Sequence, residues 1–175
     1  MCVASTAGGS ASAVSEVRLE SWEWEWAAHV ARKRQEANVG KQDAAWYDRK
    51  RMEDDDVAAL ASCCCEMAVA KRLNKYWDGS YWSAAEHDRF RSQADVGQNT
   101  EVRRVRERGN PLPVRKRDVD ANRIMALAFA HKPKFDVVEV VGWGWASELW
   151  KVGKAASYDR DGTTRLVAQE YLWPL

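Results

Sequence analysis

The spacing of apolar positions changes once along the chain, from a helical repeat to an alternating one. Between Val17 and about Asn38, Trp22, Trp26 and Val30 recur every four residues, and the continuation "AAHVARKRQEA" is rich in helix formers. This predicts a helix, although "WEWEW" (Trp22 to Trp26) alternates as a strand would. Trp24 then faces away from Trp22 and Trp26, so the helix is expected to touch neighbours on more than one side. Residues 41–52, "KQDAAWYDRKRM", predict a solvated helix. The acidic group Glu53-Asp54-Asp55-Asp56 suits a helix N-terminus, where carboxylates meet unsatisfied N–H groups. The helix it opens, from about Asp54 to Asn74, carries Glu66 as the only charge within "VAALASCCCEMAVA" (Val57–Ala70). A helix that is apolar all round is central and buried. A carboxylate inside it must be paired, hydrogen-bonded or metal-bound.

Residues 75–93 read as a loop with a turn at Asp78-Gly79. Beyond it the period is two. A strand from Glu101 to Arg108 places Glu101, Arg103 and Val105 on one face and Val102, Arg104 and Arg106 on the other. Asn110-Pro111-Leu112-Pro113 breaks it. Further strands are expected at Arg123–Ala130, Asp136–Trp143 and Leu166–Gln169, with a helix at Ala146–Val152. Helices followed by strands predict an α+β domain with a mixed β-sheet flanked by helices. The organisation expected is a flexible tail (1–16), an N-terminal helical extension (17–52) and an α+β domain (53–175), without internal repeats.

At 175 residues and 46% hydrophobic content the chain suits one domain, or one with a helical appendage. A net charge of +1 leaves any argument for a polyanion partner to local clustering. Cys2 and the run Cys63-Cys64-Cys65 lack C-x-x-C spacing, so packed, reduced thiols are expected rather than disulfides or zinc. The first residues lack the basic and apolar regions of a signal peptide, and nothing approaches a membrane span. A cytoplasmic protein is the expectation.

Asp95 and Glu101 are the first candidates for chemistry. One precedes a Gly turn and the other opens a strand, so the two can converge and hold Mg²⁺ through oxygen. The plainer alternative is a turn Asp and a solvated strand Glu. Glu66 would make a third carboxylate, or else a salt-bridge partner for an arginine of the strand. Between Glu101 and Arg117 there are seven Lys/Arg against two Glu, including Arg103, Arg104, Arg106, Arg115 and Lys116. They suit a phosphate backbone, or an edge strand protected from pairing. Trp22, Trp26, Trp143 and Trp145 are expected in the core, while Trp77, Tyr81 and Trp82 could stack on bases. His29, His87 and His131 show no zinc spacing, and no nucleophile-elbow, Walker or dinucleotide pattern occurs.

"EMAVAKRLNKYW" (Glu66–Trp77), "ADVGQNTEVRR" (Ala94–Arg104), "VVGW" (Val140–Trp143) and the terminal "LVAQEYLWPL" resemble a group of small phage and bacterial proteins. Those proteins look like PD-(D/E)xK nucleases. The resemblance covers about residues 60–175 and implies a restriction-endonuclease-like core. It implies metal-dependent phosphodiester hydrolysis of DNA, with Asp95 and Glu101 holding Mg²⁺ or Mn²⁺ and Glu66 as a further ligand or water-positioner. Arg103 stands where the family has lysine. An arginine cannot serve as a base, but it can stabilise charge or orient water. On this reading Arg104, Arg106, Arg115 and Lys116 contact the DNA backbone, in the host cytoplasm for a phage-encoded chain. The alternative is a catalytically silent module that binds nucleic acid or protein, phage-structural or replication-associated. The N-terminal helices would then meet a second copy or a protein partner.

Overall fold

The computed structural model describes residues 15–38, 53–81, 86 and 92–175. Its elements are β1 (Ser15–Arg18), α1 (Ser21–Asn38), α2 (Asp55–Arg72), β2 (Thr100–Val105), β3 (Leu112–Arg115) and α3 (Lys116–Asp120). They continue with β4 (Ile124–Ala130), β5 (Val137–Trp145), α4 (Ala146–Val152), β6 (Lys154–Ala155) and β7 (Thr164–Val167). The fold is α+β. A four-stranded sheet runs β1-β5-β4-β2 and is mixed, because β2 lies parallel to β4 while the other pairs are antiparallel. A smaller antiparallel sheet runs β3-β7-β6.

α2 is the central helix that its composition demands. Asp54 caps it, accepting from the N–H groups of Asp56 at 2.9 Å and Val57 at 3.3 Å. Ala61 and every residue from Cys63 to Ala70 are buried. One side packs on the four-stranded sheet and the other on α1. Small residues make this close approach feasible: Ala126, Ala128 and Ala130 of β4 share a core with Ala61, Cys64, Cys65 and Ala68. The three cysteines are free and buried. Burial pushes all three thiols up, Cys64 to about 12. In a Cys2→Ser background, Ellman's reagent is therefore expected to find no reactive thiol until urea unfolds the chain. Rapid labelling in native buffer would contradict this burial.

α1 turns a different stripe inward from the one expected. Glu23, Ala27, Val30 and Ala31 are buried, while Trp22 and Trp26 are 66% and 38% exposed. The narrow α1–α2 contact accepts alanines and excludes indoles. Trp24 instead packs at the core edge and donates to the Lys134 carbonyl at 2.7 Å. Residues 17–18 are strand rather than helix, since β1 pairs with β5 and Leu19 N–H continues to Asp136 O at 2.8 Å. Lys71 and Arg72 clip β1 from the end of α2 through the Arg18 carbonyl (3.0 Å) and Ser15 Oγ (2.7 Å). The first described residues thus belong to the main sheet. The helix expected over 41–52 and the rest of the tail lie outside the described residues.

A second core fills the other face of the mixed sheet. Val105, Met125, Leu127 and Val141 meet Leu112, Val114, Leu149 and Val167 there. A register shift pairs Leu127 with Gly142 but Ala128 with Val140, which leaves Val141 as an extra residue. Even positions before it (Val138, Val140) therefore serve the first core, while even positions after it (Gly142, Gly144) meet Leu172 and Leu149 of the second. Residues 112–115 are a strand rather than only a break, because β3 lies at a sheet edge, where Pro113 is tolerated. β2 stops at Val105, three residues early, and β7 begins two residues early at Thr164. No helix among the described residues is long and apolar enough to cross a membrane.

Candidate active site

Asp95 reaches the site through a tight reversal. Val96 and Thr100 exchange backbone hydrogen bonds (3.0 and 3.2 Å), and Gly97 takes φ +58°, a region that favours glycine. The chain thus doubles back as it enters β2, the edge strand of its sheet. Val102 N–H donates to Asp95 Oδ2 at 2.8 Å, so the carboxylate covers part of that open edge. Asp95 is half-buried. Its carboxyl is held well above the usual carboxylate range, first by burial and then by the charges of Glu66 and Glu101. The Val102 N–H and Arg103 pull in the opposite direction without prevailing.

Glu66, 6% exposed, is fully engaged. Arg34 of α1 grips it with a two-pronged fork at 2.7 and 3.0 Å, and the Trp77 indole donates to Oε2 at 3.0 Å. Arg34 is fixed in turn by the Ser80 carbonyl at 3.1 Å. Burial by itself lowers the Arg34 pKa, but the charge and hydrogen bonds of Glu66 outweigh it and keep the guanidinium charged. The salt-bridge alternative for Glu66 is thus realised, with the arginine from α1 rather than from β2.

Glu101 and Arg103 lie on one face of β2, as the alternation predicts. Arg103 Nη1 donates to Glu101 Oε1 at 2.5 Å, and Nη2 meets both Asp118 oxygens at 3.2 and 3.1 Å. Asp118, buried in α3, also accepts the Arg115 N–H at 2.9 Å. Arg103 Nε is buried and has no hydrogen-bond partner among the described residues. Burial lowers the Arg103 pKa, yet Glu101 and Asp118 raise it further, so the group stays charged.

The residues expected to contact DNA separate. Arg104 turns inward, its Nη1 3.3 Å from Glu53 Oε1 and its Nη2 bonded to the other oxygen, which ties β2 to the start of α2. Arg106, Arg115 and Lys116 are exposed, and Lys116 pairs with Asp120 within α3. Trp77 is buried against Glu66, so it offers bases no face; Tyr81 is exposed and Trp82 lies outside the described residues. Arg34 and Asp118 were not singled out in the sequence. Each sits within a charged run, and only the fold distinguishes it from its neighbours.

The donor set suits a hard cation in one respect. Mg²⁺ is commonly held by one or two carboxylates, with water and substrate completing its shell. Asp95 and Glu101 supply two; the raised Asp95 pKa comes first from burial and then from the charges of Glu66 and Glu101, the part that a cation would relieve. As the side chains stand, no group of three or more His, Cys, Asp or Glu among the described residues is placed to hold an ion. Glu66 would first have to release an oxygen from Arg34 or Trp77. Neither a family model, nor a curated protein, nor a solved structure matches this chain.

Proposed function

We propose that the chain hydrolyses phosphodiester bonds of DNA with Mg²⁺ or Mn²⁺, on a restriction-endonuclease-like core. One observation carries the reading: Asp95 lies near enough to Glu66 and Glu101 for both charges to add to burial in holding its carboxyl well above the usual range. Asp95 and Glu101 hold the cation; Glu66 orients the attacking water or joins as a ligand. A divalent cation bound there lowers the pKa of its water and neutralises charge on the phosphate. Arg103, anchored by Asp118, is no base and instead stabilises the phosphate's developing negative charge. Exposed Arg106, Arg115 and Lys116 meet the DNA backbone, and Arg104 supports β2 from within. Work on DNA places the protein in the cytoplasm, that of the host for a phage-encoded chain.

The test is cleavage of plasmid and linear DNA in Mg²⁺ or Mn²⁺ beside a Glu101→Ala control. The control should lose at least about 100-fold, since even removal of a metal's outer-shell partner costs about 10–100-fold. No cleavage by either protein, or equal cleavage by both, would sink the proposal. A second reading, a silent module for nucleic acid or protein, is favoured by the saturation of Glu66 by Arg34 and Trp77. In that case α1 would offer a contact surface to a second copy or partner. Metal-independent, salt-sensitive DNA binding without cleavage would select the nucleic-acid form.

A further inference from the structure

In "VRKRD" (Val114–Asp118) β3 passes directly into α3, which winds three successive cations around one buried carboxylate. Asp118, 3% exposed, gathers arginines from three elements. Arg103 Nη2 reaches it from β2 at 3.2 and 3.1 Å. The Arg115 N–H donates to it from the end of β3 at 2.9 Å, and Arg117 Nε of α3 stands 3.9 Å away. Lys116, between the last two, is matched by Asp120 instead. Arg103 also bonds Glu101 at 2.5 Å, so the cluster borders that carboxylate on its own face of β2.

The cluster carries more positive charge than its own carboxylates match. The charges acting on Arg115 are those of Arg103 and Arg117 against those of Asp118 and Glu101. With Arg115 itself, three cations face two carboxylates. Partial burial and then repulsion from the two arginines lower the Arg115 pKa, and the carboxylates do not offset them. Donors are left over as well. Arg103 spends Nη1 on Glu101 and Nη2 on Asp118, while its buried Nε has no partner among the described residues. A buried donor without an acceptor is costly. Arg115 and Arg117 are exposed, and the Arg115 guanidinium makes no ion pair among the described residues. Surplus cations with spare donors select an anion. A flat carboxylate is filled by one guanidinium fork, whereas guanidinia arriving from three elements suit a tetrahedral phosphate, each on different oxygens.

We infer that Arg103, Arg115 and Arg117, arranged around Asp118, form a binding site for a phosphate group. The site stands on charge and geometry alone; under the DNA-cleaving reading, the phosphate it holds belongs to the strand being cut. The full chain in EDTA is titrated by calorimetry with inorganic phosphate and, at matched ionic strength, with acetate. Phosphate should bind and acetate should not. Arg115→Gln and Arg117→Gln, both at exposed positions, should each weaken phosphate about ten-fold, the loss of one charge-assisted hydrogen bond. Arg115→Lys should recover only part of that affinity. Short DNA duplexes with and without 5′-phosphates then assign the source. Equal affinity for the two, weakened in the same variants, supports the site as one for backbone phosphates. Preference for the phosphorylated ends supports it as one for a terminal phosphate. Phosphate bound no better than acetate, or affinity unchanged in both glutamine variants, overturns the inference. Because binding is read without metal, a chain that holds phosphate in this way yet never cuts fails only the cleavage reading.

Discussion

Arg34→Ala is expected to lower stability by about 3 kcal/mol, the low end for breaking a buried ion pair. The low end applies because the Arg34 side chain is 23% exposed, against 8% for Glu66. The loss arises mainly from what remains: a carboxylate deep in α2 with one indole N–H and no cation. For a chain of this size the midpoint of thermal unfolding should fall by about 6–12 °C. Arg34→Lys should recover only part, since an ammonium cannot reproduce the two-pronged grip. Adding Glu66→Gln to Arg34→Ala should restore more, because it removes the stranded charge. Urea unfolding of the wild type and the three variants measures these differences. A loss below about 1 kcal/mol in Arg34→Ala would mean that water reaches Glu66 and the pair is not buried in the sense of that estimate.

Asp95→Asn is expected to stabilise the protein at neutral pH while abolishing its response to divalent cations. The Asp95 pKa is raised on folding, above the unfolded value of about 3.9. Between those two values the folded state binds more protons than the unfolded one. Stability from this group is therefore full below the unfolded pKa and declines as pH rises through the folded one. Each unit of elevation corresponds to about 1.4 kcal/mol. Asparagine keeps an oxygen for the Val102 N–H and removes the charge, so the decline should vanish. Mn²⁺ should raise the wild-type midpoint by mass action and leave the variant unchanged. Unfolding in urea at a series of pH values above the unfolded pKa, with EDTA or Mn²⁺, decides it. A variant less stable than wild type at pH 8, or one with the same pH slope, would contradict the account.

What could be read in advance follows from how local each signal is. Glu66 stood out because it interrupts an otherwise apolar helix, and α4 (Ala146–Val152) needed nothing beyond its own segment. The two faces of β2 followed from alternation alone. Arg34 was invisible, since within "ARKRQE" nothing marks one cation above the others; its importance depends on α1 lying across α2. Asp118 was hidden in "RKRDVD" for the same reason. The tryptophans misled in the opposite direction. Bulk suggested a core role for Trp22 and Trp26, but a helix pair spaced by Ala27 and Ala31 has no room for indoles. Pro113 suggested only interruption, and the edge that makes it acceptable belongs to a sheet completed by residues fifty positions later.

The antiparallel pairing of β1 with β5 has a consequence for the order in which the molecule forms. Ser15 faces Val140 across that ladder, so the strand made first docks on one made near the end. At ribosomal rates of about 5–20 residues per second, β1 waits on the order of ten seconds for its partner. Until then the buried face of α2 can be covered by α1 but not by the finished sheet. Contacts this distant in sequence slow folding, because the loop must close before the pairing rewards it. The newborn chain therefore passes through a stage in which the helical layer precedes the sheet, and during that stage its apolar surface is open to chaperones.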